Sequence, residues 1–351
     1  MAVLWLCGPP GVGKTTAAWL LYTQLVESGV RTGFVDIDQL GMCYPAPASD
    51  PERYGMKARN LGAVVANLDA GHVVVSGVTD PVQGVPRIPG TALTMCRLRA
   101  DEGQLRARLE RRGWPAEQIE AVRQEAEILD ATGGICVDTT GLTVAEVVRR
   151  VRERTGWPDP AGRDKPAVEE PVGAVDGEIL WLCGATGVGK SAVGFAVYQR
   201  ILRAGRTAAY VDLDQLGFRG PTPAGHGVRA RNLAALWRTY RAAGAQQLVV
   251  VGPAESEAVV ATYADALPSA KITLCRLHAG SGRLMERIML RGRGQGWAQP
   301  GDPLLGRPIA YLRQVADRAA AEADALERVC LGRRVDAGPG TVEQVADAVL
   351  A

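Results

Sequence analysis

Phenylalanine and histidine are scarce in this chain, three of each, and no apolar run is long enough to cross a membrane. Charge of one sign is not in excess either: 40 Lys and Arg face 38 Asp and Glu, a formal net of +2. That near balance lacks the basic footprint of a nucleic-acid binder, so nucleic acid is not the expected partner. The histidines His72, His226 and His278 have no metal-ligand spacing and read as structural or surface residues. Seven cysteines, an odd number without a C-x-x-C pair, suit reduced thiols. Cys7, Cys96, Cys183 and Cys275 lie in apolar runs and read as small core residues. The opening "MAVLWLCGPP" has no charged n-region and reads as neither a signal peptide nor a membrane span, so the expected location is the cytoplasm.

What is present is a pattern that occurs twice. "CGPPGVGKTT" fits G-x-x-x-x-G-K-[ST] with Gly8, Gly11, Val12, Gly13, Lys14 and Thr15, followed by Thr16. "CGATGVGKSA" repeats it with Gly184, Gly187, Val188, Gly189, Lys190 and Ser191, followed by Ala192. Each follows a short apolar run and precedes a long periodic stretch, the strand, loop, helix context of a phosphate-binding Walker A loop. Glycines let backbone N–H groups converge on a phosphate, and the helix N-terminus adds partial positive charge. Lys14 and Lys190 are expected on the β- and γ-phosphates of ATP, and Thr15 and Ser191 on Mg²⁺.

Laid over itself with Gly8 on Gly184, the chain repeats "LWLCG", "VDIDQLG" as "VDLDQLG", "ARNL" and "CRL", which reads as a duplication. The expected domains are 1–156 and 177–351, with the Pro-, Gly- and charge-rich stretch 157–176 as a linker. In the first, apolar runs near 3–7, 32–36, 72–76, 92–98 and 135–138 alternate with helical stretches near 14–28, 57–70, 101–130 and 143–154. The expected fold class is therefore α/β, two tandem domains, each a parallel sheet sandwiched by helices, with ligands at the carboxyl ends of the strands.

Asp36 and Asp38, and Asp212 and Asp214, end the second strand of each copy. On an extended segment that spacing sends both carboxylates to one face, where one can serve Mg²⁺ and the other take a proton from an attacking hydroxyl. A solvated Asx turn closing the strand is the alternative. The third strands, "VVVSG" and "VVVG", end without a carboxylate, so a metal-positioning acid has to come from the D-x-D pair. Asp38 and Asp214 are the expected metal-side acids beside Thr15 and Ser191.

These features together resemble the small-molecule P-loop kinases, most closely adenylylsulfate kinase, over nearly all of each half. The resemblance implies acceptor contacts from Arg59 and Asn60, and from Arg231 and Asn232. It also implies a lid over ATP carrying Arg108 and Arg112 in one half, Arg287 and Arg291 in the other. One helical turn separates each lid pair, so the two share a face; exposed arginines on an amphipathic helix are the alternative. Adenylylsulfate kinases read D-G-D-N where these copies read Asp-Ile-Asp-Gln and Asp-Leu-Asp-Gln, and they stack adenine on phenylalanines. Here Phe218 follows the second D-x-D, but Met42 follows the first.

Trp114 and Trp297, just past the lid arginines, read as core tryptophans before base-stacking ones. After the third strand "GVTDPVQGVPRIPG" is too proline-rich for a helix, whereas "PAESEAVVATYADAL" reads as one. The second lid carries a Gly- and Pro-rich extension suited to a flap. The expected activity is ATP- and Mg²⁺-dependent phosphotransfer to a hydroxyl of a small-molecule acceptor. A non-catalytic or weakly hydrolytic ATP-binding regulatory module is the alternative, and a polynucleotide 5′-hydroxyl kinase is disfavoured by charge. Two joined domains of this type are expected to pair as an intramolecular pseudo-dimer.

Overall fold

The run AVLWLC forms β1 (Ala2–Cys7), buried along its whole length as a central strand of a sheet covered on both faces must be. The computed structural model describes residues 1–80, 88, 90–158, 175–295 and 302–351. After β1 come α1 (Lys14–Glu27), β2 (Thr32–Asp36), a 3₁₀ turn (Ile37–Gly41), β3 (Cys43–Tyr44), α2 (Tyr54–Asn67) and β4 (His72–Ser76). They are followed by β5 (Ala92–Arg99), α3 (Glu102–Glu110), α4 (Ala116–Asp130), β6 (Cys136–Asp138) and α5 (Val144–Thr155). The later half runs β7 (Gly177–Cys183), α6 (Lys190–Arg203), β8 (Ala208–Asp212), a 3₁₀ turn (Leu213–Leu216), β9 (Arg219–Gly220), α7 (His226–Ala242) and β10 (Gln247–Val251). It ends with α8 (Glu257–Ala266), β11 (Ala270–His278), α9 (Ser281–Gly292), α10 (Ile309–Val329), β12 (Arg333–Asp336) and α11 (Val342–Leu350).

The single helix expected over 101–130 is two. Gly113, at φ +76°, and Pro115, which caps α4 in an extended conformation, break it. The helix expected in "PAESEAVVATYADAL" is α8, whose Ser256 caps it by accepting the Val259 N–H.

The chain divides into two units. One comprises Met1–Gly41, Arg53–Glu169 and Gly217–Ala224; the other comprises Met42–Glu52, Glu170–Leu216 and Gly225–Ala351. Each therefore takes one short piece from the other half of the sequence. The first sheet has the order β6-β5-β1-β4-β2-β9 and the second β12-β11-β7-β10-β8-β3. All pairings are parallel but one in each, so the expected parallel sheet carries an antiparallel edge strand: Thr32 opposite Gly220 on β9, and Cys43 of β3 opposite Ala209. Of the stretch 157–176, residues 159–174 lie outside the described residues, as do 81–87 and 89 in the proline-rich segment after β4.

The exchanged pieces enter the cores. In the first unit the Phe34 N–H donates to Phe218 O at 3.0 Å, and Trp19, Phe34 and Phe218 meet edge to face at centroid distances of 5.0–5.8 Å. In the second, the Tyr210 N–H donates to Met42 O at 2.9 Å, and Met42 and Tyr44 pack on the core. Phe218, which follows the second D-x-D in the sequence, is thus committed to the core of the first unit. Cys7, Cys96, Cys183 and Cys275 are buried, as expected, and all seven cysteines are free thiols. Among the described residues no helix is long and apolar enough to cross a membrane.

Candidate functional site

Between β1 and α1, and between β7 and α6, the chain makes a turn that admits no side chain at its first glycine. Gly8 has φ +130° and Gly184 φ +143°; a Cβ on them would stand 2.2 Å from Leu98 O and 2.5 Å from Leu277 O. Gly13 and Gly189, also left-handed, lead straight into the helix N-termini. Val12 and Val188 anchor the loops, each 1% exposed. Lys14 Nζ donates to Pro9 O at 2.9 Å, and Lys190 Nζ to Gly184 O at 2.7 Å and Ala185 O at 3.1 Å, so both ammonium groups lie over their own loop. Burial lowers the pKa of Lys14. Thr16 is exposed and Ala192 half-buried on the first turn of their helices.

The D-x-D acids do not sit on an extended segment. Each second acid is the second residue of a 3₁₀ turn, and the first holds that turn: Asp36 Oδ1 accepts the Asp38 N–H at 3.1 Å, and Asp212 Oδ1 the Asp214 N–H at 3.0 Å. The other oxygen of each first acid faces the loop hydroxyl, Thr15 Oγ1 donating to Asp36 Oδ2 at 3.5 Å and Ser191 Oγ to Asp212 Oδ2 at 3.1 Å. The acid beside the hydroxyl is therefore Asp36 or Asp212, not Asp38 or Asp214 as expected, because the turn swings the second acid away. Burial, followed by the charge of the second acid, pushes the Asp36 carboxyl up to about 7 and that of Asp212 up to about 6.

Asp38 and Asp214 face a cation from the next helix. Lys57 Nζ lies 3.0 Å from Asp38 Oδ1, and Arg229 Nη1 3.4 Å from Asp214 Oδ1. Asn60 and Asn232, expected at the acceptor, are fully buried instead; they donate to Leu40 O at 2.7 Å and Leu216 O at 2.8 Å and so fasten the 3₁₀ turn to α2 and α7. Arg59 and Arg231 are exposed on those helices.

The lid arginines separate into two kinds. Arg108 Nη1 donates to Thr139 Oγ1 at 3.2 Å and to Gly11 O at 3.4 Å; Arg287 donates to Val188 O at 2.6 Å and Ala337 O at 2.7 Å. Both tie α3 or α9 to the phosphate loop and to the loop after the last strand. Arg112 is exposed, and Arg291 is held by Asp302 at 2.6 Å, so neither pair acts together on one face toward the loop. Trp114 packs partly buried on the first core, as expected; Trp297 and the flap residues 296–301 lie outside the described residues.

At the end of β4, Ser76 Oγ donates to Thr15 Oγ1 at 3.5 Å, so the third strand meets the loop hydroxyl with a hydroxyl rather than an acid. In the second unit Val251 occupies the end of β10; elsewhere in that unit His226 lies between Tyr263 Oη, 3.1 Å from Nδ1, and Glu255, 3.3 Å from Nε2.

A strand, a glycine loop that excludes side chains, a lysine and hydroxyl opening a helix, and an acid from the parallel strand two places along the sheet are thus assembled twice. Residues 4–130 match the family model described as an AAA domain. The chain carries a P-loop domain. An 81-residue stretch is 36% identical to adenylyl-sulfate kinase of Burkholderia ambifaria, covering 22% of this chain and 45% of that protein, so the chain spans just under half the length of the curated relative it matches. Among solved structures it is similar to a gluconokinase from Sinorhizobium meliloti 1021 (20% identity, 50% of this chain, 89% of that one, TM-score 0.33). It is also similar to the Mycobacterium tuberculosis APS kinase solved with AMPPNP and APS (20% identity, 50% of this chain, 95% of that one, TM-score 0.28).

Two residues of the P-loop site went unread in the sequence, Lys57 and Arg229. The signal was present: "KARN" and "RARN" carry a cation one turn before the asparagine, on the helix that follows D-x-D.

Proposed function

We propose that this P-loop protein transfers the γ-phosphoryl group of Mg²⁺-bound ATP to a hydroxyl of a small molecule, with one site in each unit. The observation that carries this reading is the division of labour within D-x-D: one acid beside the loop hydroxyl, the next beside a cation of the following helix, in both units. A hydroxyl and a carboxylate are hard oxygen donors that suit Mg²⁺, which commonly takes one or two protein ligands and fills the rest with phosphate oxygens and water. Thr15 with Asp36, and Ser191 with Asp212, would hold it; when bound, it supplies shielding of the phosphate charge. Lys14 and Lys190 turn from their own loop carbonyls to the terminal phosphates. Asp38 and Asp214 orient the acceptor hydroxyl and take its proton, while its oxygen forms the bond to γ-phosphorus and the bond from that phosphorus to the β–γ bridging oxygen breaks, releasing ADP. Lys57 and Arg229 keep the acid in place. The shared strand order of the two sheets supports descent of both units from one duplicated domain.

The purified full chain, incubated with Mg·ATP and a panel including adenylyl sulfate, gluconate, nucleosides and sugars, tests this by mass spectrometry of the acceptor. A phosphorylated product, lost in the combined Asp38→Asn and Asp214→Asn variant, is expected. Nucleotide binding without a phosphorylated product from any acceptor would overturn phosphotransfer and leave a nucleotide-binding regulatory module.

A further inference from the structure

The second unit brings a glutamate from the helix after its lid to the phosphate loop, and the first unit has a glutamate at the corresponding helix position. On α10, Glu322 Oε2 accepts the backbone N–H of Thr186 at 2.9 Å. Thr186 lies inside the second loop, whose N–H groups are the ones an anion recruits. On α4, Glu125 is among the acids whose charge acts on Lys14 of the first loop. The two positions correspond. Arg97 on β5 donates to Leu129 O and to Asp130, and Arg276 on β11 donates to Leu326 O and to Glu327, each clamping the end of its helix. Glu125 stands four residues before Leu129, and Glu322 four before Leu326, one helical turn in each case.

A carboxylate at this place opposes phosphate binding. It uses an N–H of the loop, and its charge repels phosphate oxygens approaching the same turn. The lid helix holds the second loop from the opposite side of its peptide chemistry, Arg287 donating to Val188 O at 2.6 Å. Helices α9 and α10 pack so closely at Gly292 that a Cβ there would stand 2.4 Å from Leu312, so the arginine and the glutamate ride on one packed pair.

We propose that Glu322 is a latch, a carboxylate that competes with the nucleotide's phosphates for the loop and sets its affinity, leaving only when the helix after the lid turns, and that Glu125 plays the same part by its corresponding position on α4. This rests on the nucleotide-binding reading above. Apparent affinity is then proportional to the fraction of molecules whose latch is open, so abolishing the latch tightens binding by the inverse of that fraction.

Calorimetric titration of the full chain with Mg·ATP and with adenosine, which has no phosphate, tests it. In a Lys14→Ala background, where the second loop is the intact one, Glu322→Gln and Glu322→Ala each tighten Mg·ATP by roughly tenfold, the scale of losing one charge-assisted hydrogen bond, and leave adenosine unchanged. Glu125→Gln does the same in a Lys190→Ala background. Hydrogen exchange of the peptide containing Thr186 accelerates in Glu322→Ala. Unchanged or weaker ATP binding in the glutamate variants of a chain that binds ATP overturns the latch alone, as does an equal tightening for adenosine. Failure of ATP to bind the wild type and every variant overturns both the latch and the nucleotide reading.

Discussion

Asp36 and Asp212 are carboxyls buried beside a second acid, and both features favour the protonated form. In the folded protein their carboxyls are pushed up to about 7 and about 6, above the ordinary aspartate value of 3.8, because burial disfavours the charged form. The proton they retain contributes stability that is fully present below about pH 4 and is lost as pH rises through about 7 for Asp36 and about 6 for Asp212, on the order of 4 and 3 kcal/mol respectively. Urea unfolding at pH 4.5, 6 and 8 should therefore show a steeper loss of stability with pH in the wild type than in the Asp36→Asn, Asp212→Asn double variant; parallel profiles would refute the buried assignment. The lysines make a separate prediction. Lys14→Ala and Lys190→Ala should each remove one ATP site from a two-site titration, since each deletes the cation its own loop aims at the phosphates. A single site in the wild type would contradict it.

At the scale of elements, the 3₁₀ turn after β2 or β8 is what separates the two acids of D-x-D, and the buried asparagine of the next helix is what fastens that turn. Asn60→Ala, which removes a buried hydrogen bond to Leu40 O, should destabilise the first unit by about 1–3 kcal/mol. Arg59→Ala, one residue away but exposed, should stay within about 0.5 kcal/mol. Chemical denaturation compares the two, and equal effects would show that the asparagine does not anchor the turn. The resemblance to kinases drew attention to the Arg-Asn pair, yet the pair splits between surface and core; helical phase on α2 decides which residue faces inward, and a dipeptide does not display it.

For the whole molecule, the exchanged pieces matter most. Each begins directly after its own D-x-D turn: Met42–Glu52 leaves the first half of the sequence for the second unit, and Gly217–Ala224 leaves the second half for the first. Expressed separately, 1–156 lacks β9 and the Phe218 ring, and 177–351 lacks β3. Each half alone should melt at lower temperature and expose an unpaired sheet edge, and mixing or co-expressing them should restore a stable complex. Size-exclusion chromatography with thermal melts checks this; halves that are monomeric and as stable as the full chain would show the exchange to be dispensable. The chain runs directly from each D-x-D turn into the piece that belongs to the other unit, and we propose that nucleotide at one site alters the other through this continuity. ATP titration of each lysine variant should then give a remaining site whose affinity differs from the wild type.

The sequence by itself determined the local elements and the loop chemistry. Alternating apolar runs and helical periods specify a sheet wrapped by helices, and Gly8 to Thr15 and Gly184 to Ser191 specify their phosphate turns, because these depend on neighbours a few residues apart. The acid pairs, the lysines and the loop hydroxyls could be read from spacing for the same reason. Only the tertiary structure decided which acid of D-x-D meets the hydroxyl, where Phe218 belongs, and that Glu322 reaches the loop across more than a hundred residues. Those outcomes turn on chain direction after a turn and on which sheet edge is free to pair. Strand pairing satisfies backbone groups at any distance along the chain, so no local pattern announces its partner.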